Sequence, residues 1–232
     1  MKEILNQNKF TVLFSGGKDS LATLLWIIDN VNHKNWNILY IEMTNNTHPL
    51  CTKYVYEIVE HFNLLNNFIH VKTQDFFELM NKWGPPLPFY RWCLTLKSNL
   101  IKKYAYFITV SGIKKSDSKV RKKLQILSIC KKSKKLDIKP ILEWSNKDVY
   151  AFIKEHGISM NPCYKLYGNS GNCMFCPYAD KNHIINVMSD KEWGEKIRKV
   201  LLKNKMKMMK GRIGKEIYER WMNGQLSLIS YL

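Results

Sequence analysis

A short apolar run that ends in a glycine turn constrains this chain more than any other feature. The segment Phe10-Thr11-Val12-Leu13-Phe14 is β-branched and aromatic, and Ser15-Gly16-Gly17 follows it directly. This pattern predicts a buried strand and then a tight turn. Apolar residues recur at helical spacing from Leu21 to Ile28, and Asp19 or Ser20 is suited to cap that helix. The predicted opening unit is strand, glycine turn, helix.

Further apolar runs alternate with helical patterns along the next part of the chain. Strands are predicted over residues 38–43, 68–71 and 106–110 and near 139–142, and helices over 52–62, 75–82 and 94–104. Alternation of this kind is typical of a parallel sheet covered by helices on both faces. The predicted fold class is therefore α/β.

The character of the sequence changes after this alternation. Ser145 and Asp148 form a capping-box pattern that opens a helix to about His156. Residues 158–178 are rich in Asn, Gly, Pro and Cys, and residues 184–221 return to helical patterning. We place a boundary between an α/β domain, residues 1–143, and a helical extension, residues 144–232, with a cysteine motif and a basic helix.

Composition and charge narrow the functional class. Apolar residues make up 45% of the chain and charged residues 24%, which excludes disordered and membrane classes. Residues 1–9 lack the apolar core of a secretory signal, and the six cysteines are too few for a disulfide scaffold. We expect a cytoplasmic protein without membrane contact. The net charge of +18 favours nucleic acid or anionic nucleotides as partners, although a generally Lys-rich composition would also produce it.

The segment Ser15-Gly16-Gly17-Lys18-Asp19-Ser20 has the chemistry of a phosphate-binding loop. Its glycines let backbone amides approach phosphate oxygens, and the start of the next helix favours negative charge. Lys18 adds a cation, and Ser15 and Ser20 add hydroxyl donors. The segment lacks the glycine spacing of a Walker A loop and of a dinucleotide-binding turn.

These six residues meet the S-G-G-x-D-S pattern of the PP-loop ATP pyrophosphatases and adenine nucleotide alpha hydrolases, which the chain resembles. Within that superfamily it looks like the phosphoadenosine phosphosulfate (PAPS) reductase family across most of residues 10–180. The resemblance implies a Rossmann-like sheet, with ATP or an adenylylsulfate bound at the loop and Mg²⁺ beside the phosphates. Glu42 is assigned to the same nucleotide site, and residues 46–50 occupy the place of a nucleotide-contacting loop.

Two further segments carry the resemblance. Arg91-Trp92-Cys93, with Lys97, is similar to a cysteine and lysine element near the anionic end of the substrate. The run from Ser111 to Ser118, with Arg121, resembles a G-x-R-x-x-E-S-x-x-R segment. It predicts a second anion clamp formed by Gly112, Lys114, Ser118 and Arg121, although an exposed basic helix start fits the same residues. The predicted catalytic residues are Lys18, Asp19, Lys97 and Arg121.

Four cysteines form a candidate metal site. Cys173 and Cys176 form a C-x-x-C pair, Cys163 lies shortly before it, and Cys93 makes a fourth thiolate. Four thiolates suit tetrahedral zinc or a [4Fe-4S] cluster, and reduced thiols or a redox pair remain open. The family resemblance favours the iron–sulfur cluster over zinc. Cys51 and Cys130 are interpreted as incidental thiols.

Three functions fit these patterns. The preferred one is an ATP-using, iron–sulfur-dependent sulfurtransferase that acts on nucleic acid, with a sulfur or electron donor protein as partner. The second is an adenylylsulfate or PAPS reductase, which the resemblance disfavours because Gln225–Leu232 contains no cysteine. The third is a regulatory module that binds nucleotide without turnover. The oligomeric state stays open, with a dimer among the options.

A basic stretch marks the expected nucleic-acid surface. Residues 196–215 contain many lysines and arginines without any acidic residue, together with apolar Ile197, Val200 and Leu201. Such a helix can pack one face and present the other to phosphates. A solvated helix face is the alternative interpretation.

Overall fold

The computed structural model describes residues 1–223, and the sheet at its centre has six strands. The strands are β1 Phe10–Leu13, β2 Trp36–Glu42, β3 Phe68–Lys72, β4 Ile108–Val110, β5 Leu127–Ile129 and β6 Leu136–Ile138. Their order across the sheet is β3-β2-β1-β4-β6-β5, and every pair is parallel except β5 with β6. The predicted α/β class is confirmed.

Helices connect the strands and form the part of the chain that follows the sheet. Those up to the last strand are α1 Lys2–Gln7, α2 Lys18–Asn30, α3 Pro49–His61, α4 Phe76–Trp83 and α5 Trp92–Tyr104. Those after it are α6 Asn146–Glu155, α7 Cys163–Tyr167, α8 Lys181–Ser189, α9 Lys191–Lys203, α10 Lys205–Met209 and α11 Arg212–Asn223. No helix in residues 1–223 is long and apolar enough to cross a membrane.

Two apolar cores hold these elements together. The first contains β1, β2 and the buried faces of α2 and α3, and Val149 and Ile153 of α6 pack into it. The second lies under the C-terminal helices, where Trp193 and Trp221 share a cluster with Met80 of α4. Helix α6 therefore belongs to the first core although it follows residue 143, and the boundary after residue 143 remains a proposal.

The prediction of a last strand near residues 139–142 is wrong. That segment turns, with the Leu142 amide donating to the Lys139 carbonyl at 3.2 Å, and Pro140 has no amide to donate to a ladder. The last strand is instead β6. Strand β5 pairs with it in antiparallel orientation, with Leu127 opposite Ile138 and Ile129 opposite Leu136. The lysine-rich segment between the two strands is the turn of this hairpin, where the Cys130 amide donates to the Lys135 carbonyl at 2.8 Å.

Helix α6 begins as its sequence predicts. The Ser145 amide donates to Asp148 Oδ2 at 2.7 Å, and the Asp148 amide donates to Ser145 Oγ at 3.3 Å. Each side chain thus satisfies a backbone donor that the first helical turn would leave without an acceptor.

Candidate active site

The chain reverses its direction across the sheet beside β1. It runs from β1 outward through β2 and β3, and it then returns to β4 on the other side of β1. Open α/β sheets bind ligands at the carboxyl ends of the strands where such a reversal occurs. The two predicted anion-binding segments lie at this place, because residues 15–20 follow β1 and residues 111–118 follow β4.

The phosphate loop is a compact turn held by its own side chains. Gly16 has φ +73°, and a methyl group there would lie 3.0 Å from both Cys51 Sγ and a Val55 methyl carbon. The Ser15 amide donates to Ser20 Oγ at 3.2 Å, and Ser20 Oγ donates to the Gly17 carbonyl at 2.9 Å. In the described part of the chain, the Gly16 and Gly17 amides have no acceptor, so they remain available to an anion.

Two residues after α6 support this loop from behind. Asn161 Nδ2 donates to the Gly16 carbonyl at 2.9 Å, and the Lys18 amide donates to the Tyr164 hydroxyl at 3.0 Å. Both contacts join positions about 145 residues apart in the chain. Sequence reasoning missed Asn161 and Tyr164, because no local pattern relates them to the loop.

A chain of ion pairs joins the two anion-binding segments. Lys114 is fully buried, and its Nζ contacts the Asp19 carboxylate, Asp117 Oδ1 at 3.3 Å and Asn146 Oδ1 at 3.0 Å. Burial lowers the pKa of Lys114, but the hydrogen bond and charge of Asp19 outweigh it, and the net pKa is raised. Lys114 therefore stays charged. These contacts pair the Lys114 ammonium with carboxylates of the protein itself, whereas the sequence predicts that Lys114 binds an anionic ligand.

Gly112 brings the two segments into direct contact. A methyl group at this position would lie 2.5 Å from the Asp19 carbonyl oxygen and 2.8 Å from the Ser20 amide nitrogen. Lys18 lies on the same helix start, with Nζ 2.8 Å from the Asp19 carboxylate. Burial lowers the pKa of Lys18 although Asp19 opposes the shift. The structure thus gathers Gly112, Lys18, Asp19 and Lys114 around the first turn of α2.

Three predicted site residues have their polar contacts elsewhere. Glu42 Oε2 lies 2.9 Å from His70 Nε2 and accepts from Thr52 Oγ1 at 3.3 Å. Arg121 is partly buried and pairs with Asp117. Ser118 Oγ accepts from the Arg121 amide at 3.4 Å and caps a 3-10 turn. Among residues 1–223, the hydrogen bonds and ion pairs of Glu42, Ser118 and Arg121 do not reach the phosphate loop.

Cys93, Cys173 and Cys176 share one environment with Lys97. Lys97 Nζ lies 3.5 Å from Cys173 Sγ and donates to Asn172 Oδ1 at 2.9 Å. Burial raises the pKa of Cys93, Cys173 raises it further, and the Lys97 charge opposes both. Burial raises the pKa of Cys176 to about 11, again with a contribution from Cys173. These thiols are therefore close enough to interact electrostatically.

Cys163 is separated from that group. It is completely buried beneath Gly171, where a methyl group would lie 2.6 Å from its Sγ, and burial alone raises its pKa to about 11. Its electrostatic partner is Cys51, whose pKa burial raises to about 12 with a contribution from Cys163. In residues 1–223, no group of His, Cys, Asp or Glu side chains is arranged to hold a metal ion. The predicted set of Cys93, Cys163, Cys173 and Cys176 is not assembled, because Cys163 packs elsewhere and the other three thiols do not converge on one metal position either.

The predicted nucleotide-contacting loop, residues 46–50, instead anchors the C-x-x-C turn. Asn46 is buried, and its Oδ1 accepts from the Phe175 amide at 2.8 Å while its Nδ2 donates to the Phe175 carbonyl at 3.1 Å. Thr47 Oγ1 donates to the Asn172 carbonyl at 3.0 Å. These bonds fix the backbone on both sides of Cys173.

A single pocket connects the phosphate loop with the cysteines. Its volume is about 300 Å³, and its lining includes Ser15, Cys173, Cys176 and Tyr178. A ligand in this pocket that contacts Ser15 of the loop would therefore also lie near the Cys173 and Cys176 thiols. The site combines an anion cradle and a cysteine group at one opening.

The family model described as phosphoadenosine phosphosulfate reductase domain matches residues 9–178. The chain belongs to this family. The match begins just before β1 and ends at Tyr178, so it includes the phosphate loop, the ion-pair chain and every cysteine discussed above.

Individual relatives agree with this assignment. An uncharacterised protein of Methanocaldococcus jannaschii is 30% identical over 178 residues, which cover 72% of this chain and 41% of that protein. A phosphoadenosine 5'-phosphosulfate reductase of Vibrio vulnificus is 40% identical over 55 residues, 24% of this chain and 20% of the enzyme. The chain therefore spans less than half of the length of these relatives.

The fold is also found among solved structures. The crystal structure of a PAPS reductase from Candida auris, a phosphate complex, superposes with a TM-score of 0.53 at 18% identity. The superposition covers 71% of this chain and 83% of that one. It confirms the Rossmann-like architecture predicted from the sequence.

Proposed function

We propose that this chain is an ATP-dependent sulfurtransferase that acts on a nucleic-acid acceptor. The observation that supports it most directly is the pocket that has Ser15 of the phosphate loop on one side and Cys173 and Cys176 on the other. An enzyme that activates an acceptor with ATP and then delivers sulfur needs both chemistries at one opening. The net charge of +18 suits an acceptor that is itself a polyanion.

The first step is adenylylation. An acceptor carbonyl oxygen attacks the α-phosphorus of ATP, a P–O bond forms, and the bond to pyrophosphate breaks. Charge accumulates on the phosphates, where the amides of Gly16 and Gly17 and the Lys18 ammonium can neutralise it, with Mg²⁺ as a further counterion. Asp19 and Lys114 hold the helix start that orients those amides.

The second step replaces oxygen by sulfur. A hydrosulfide attacks the activated carbon, the C–O bond breaks, and AMP leaves with the acceptor oxygen. Hydrosulfide sulfur and the sulfur of the new C=S bond have the same oxidation state, so ATP, hydrosulfide and C=O yield AMP, pyrophosphate and C=S without a reductant. Lys97, whose Nζ lies against Cys173 Sγ, supplies a positive charge that attracts the sulfur anion to this side of the pocket.

The cysteine group is the proposed metal site. Cys93, Cys173 and Cys176 would supply three of four thiolates, with Cys163 outside the set. In the described residues these side chains are not arranged to hold a metal ion, so binding one would require them to reorient. A [4Fe-4S] cluster or Zn²⁺ bound there would act as a Lewis acid toward sulfur. Because burial raises the pKa of Cys93 and Cys176, metal binding would release protons from these thiols.

The decisive experiment combines metal analysis with turnover. We expect anaerobically purified protein to contain iron and acid-labile sulfide, and to turn over repeatedly, with release of AMP and pyrophosphate, only with ATP, sulfide and RNA together. Cys173→Ala should abolish this release. Cys130→Ala, in the β5–β6 turn, should leave it unchanged. ATP binding without release of AMP or pyrophosphate under any of these conditions would instead support a regulatory module.

Family membership keeps a reductase as the second candidate. A thiolate would attack the sulfur of an adenylylsulfate, and a second thiol would then release sulfite, so the reaction consumes two reducing equivalents. The C-terminal segment 225–232, on which the sequence-based expectation against this activity depends, lies outside the described residues. Sulfite release from adenylylsulfate or PAPS with reduced thioredoxin, in the absence of ATP, would establish the reductase and exclude sulfur transfer as the main reaction.

A further inference from the structure

Aromatic side chains project from the turn between α4 and α5. Phe89 is 70% exposed and Tyr90 is 51% exposed, and Trp83 at the end of α4 is also exposed. Together with Arg91 and Tyr178 we call these residues the aromatic rim. Single exposed apolar residues are common on protein surfaces, whereas a group of them bordered by polar residues marks an interaction site.

The turn is held rigidly in this exposed position. Leu87 and Tyr90 exchange two backbone hydrogen bonds, at 3.2 and 3.0 Å, and Trp92 Nε1 donates to the Gly84 carbonyl at 3.0 Å. Pro85, Pro86 and Pro88 further restrict the backbone. A partner that binds these rings therefore loses little conformational entropy of the protein, which favours affinity.

Tyr178 connects the rim with the candidate active site. Its hydroxyl donates to the Pro88 carbonyl at 3.1 Å, and the Arg91 guanidinium lies 5.3 Å from its ring centre. The same tyrosine lines the pocket that contains Ser15, Cys173 and Cys176. The rim and the pocket are thus one continuous surface.

The rim has the chemistry of a surface that binds unpaired bases. Behind Phe89 and Tyr90 lies a groove of about 450 Å³, which Arg91 and Lys132 also line. Aromatic faces stack on any base, and neighbouring cations bind the phosphates that join successive bases. Bases inside a duplex are stacked on one another and cannot use such faces.

We propose that the aromatic rim binds an unpaired stretch of nucleic acid, with bases stacked on Phe89 and Tyr90, and directs the adjacent base into the pocket beside Cys173. The proposal rests on the proposed function in its choice of a nucleic-acid acceptor. It places the acceptor-binding surface at residues 83–91 with Tyr178, and not at the basic stretch 196–215. It also requires that the bound bases be unpaired.

Binding of labelled oligonucleotides to the whole chain tests the rim directly. We expect fluorescence anisotropy to show tighter binding of a single-stranded RNA than of an RNA duplex of the same length. Phe89→Ala with Tyr90→Ala should weaken single-strand binding by about 5- to 150-fold for each stacked base, since stacking contributes about 1–3 kcal/mol per base. Binding of a single-stranded DNA of the same length shows whether the ligand is RNA or either nucleic acid. The bases of both can stack on the rim, whereas a preference for RNA requires contacts to its 2′-hydroxyls.

Phe107→Ala is the matched control. Phe107 is 62% exposed, and it precedes β4, so it lies at the opposite end of the strands from the pocket. We expect this variant to bind like the wild type, and Phe89→Trp to retain binding because it keeps an aromatic face. Equal weakening by Phe107→Ala, unchanged binding by the double alanine variant, or absent binding of single strands by the wild type would each overturn the proposal.

Measuring AMP release together with oligonucleotide binding distinguishes a failure of this proposal from a failure of the proposed function. If AMP release proceeds and the double alanine variant leaves the KM for the acceptor unchanged, the rim is refuted and sulfur transfer stands. If no turnover is found but single-strand binding depends on Phe89 and Tyr90, the rim stands and sulfur transfer fails.

Discussion

Gly112 provides the sharpest test of how the two anion-binding segments are joined. In Gly112→Ala the new methyl group would meet the Asp19 carbonyl oxygen at 2.5 Å, its carbonyl carbon at 2.6 Å and the Ser20 amide nitrogen at 2.8 Å. All of these atoms belong to the backbone, so no flexible side chain can move aside. Restoring an ordinary contact of about 3.5 Å requires the segments to separate by about 1 Å.

This separation has two measurable effects. Overpacking of this kind costs about 1–3 kcal/mol in the free energy of unfolding, which urea denaturation detects. A displacement of about 1 Å at the helix start also misaligns the phosphates, and such misplacement can lower turnover by about 100-fold. We therefore expect reduced stability, weaker ATP binding by calorimetry and a strongly reduced rate of pyrophosphate release.

Gly211→Ala is the control, because a methyl group there has no atom within 4 Å and its φ lies outside the left-handed region. It should preserve both stability and ATP affinity. If Gly112→Ala behaves like Gly211→Ala in both measurements, the two segments are not packed as described and the reasoning fails.

Three other substitutions test individual polar contacts of the loop and of the sheet beside it. Lys114→Met leaves the Asp19 carboxylate without its buried partner, although it keeps Lys18. This change should lower the free energy of unfolding by about 1–3 kcal/mol, measured in urea, and an unchanged midpoint would contradict the ion-pair chain. Burial holds the pKa of His70 below its ordinary value, although Glu42 opposes the shift. As the pH falls below about 6.5, the unfolded state therefore binds more protons than the folded state. The free energy of unfolding should decrease on acidification by up to about 1.4 kcal/mol per pH unit. His70→Gln should flatten this dependence between about pH 7 and 5, whereas an equal slope would assign it to other groups. Asn161→Ala leaves a backbone carbonyl of the loop without its donor and should cost about 1–3 kcal/mol and weaken ATP binding in calorimetry; wild-type affinity would show that this support is dispensable.

Local patterns predicted those parts of the fold that local chemistry determines. The unit from Phe10 to Ile28 and the start of α6 at Ser145 follow from strand propensity, glycine conformation and capping, which act over a few residues. The hairpin of β5 and β6 was missed because its strands are three residues each and lysines separate them. Such short runs carry no clear period.

The sequence predicts which types of residue form the candidate site, but it predicts less well which side chains these residues contact. Lys18, Asp19 and Gly112 come together, but the burial of Lys114 could not be inferred from a motif that suggests an exposed clamp. The separation of Cys163 from Cys173 likewise depends on packing beneath Gly171. Spacing along the chain indicates which thiols can converge, and tertiary contacts decide which ones do.

The contacts of Gly16 and Lys18 with Asn161 and Tyr164 also bear on the order in which the chain is synthesised. A ribosome delivers the loop long before it delivers its supports, since about 145 residues separate them. A nascent chain that ends at residue 143 would carry the complete loop sequence and all six strands, yet it would lack both the Asn161 donor and the Tyr164 acceptor that hold the turn. Nucleotide affinity should therefore appear late in synthesis, only after residue 164 has left the exit tunnel.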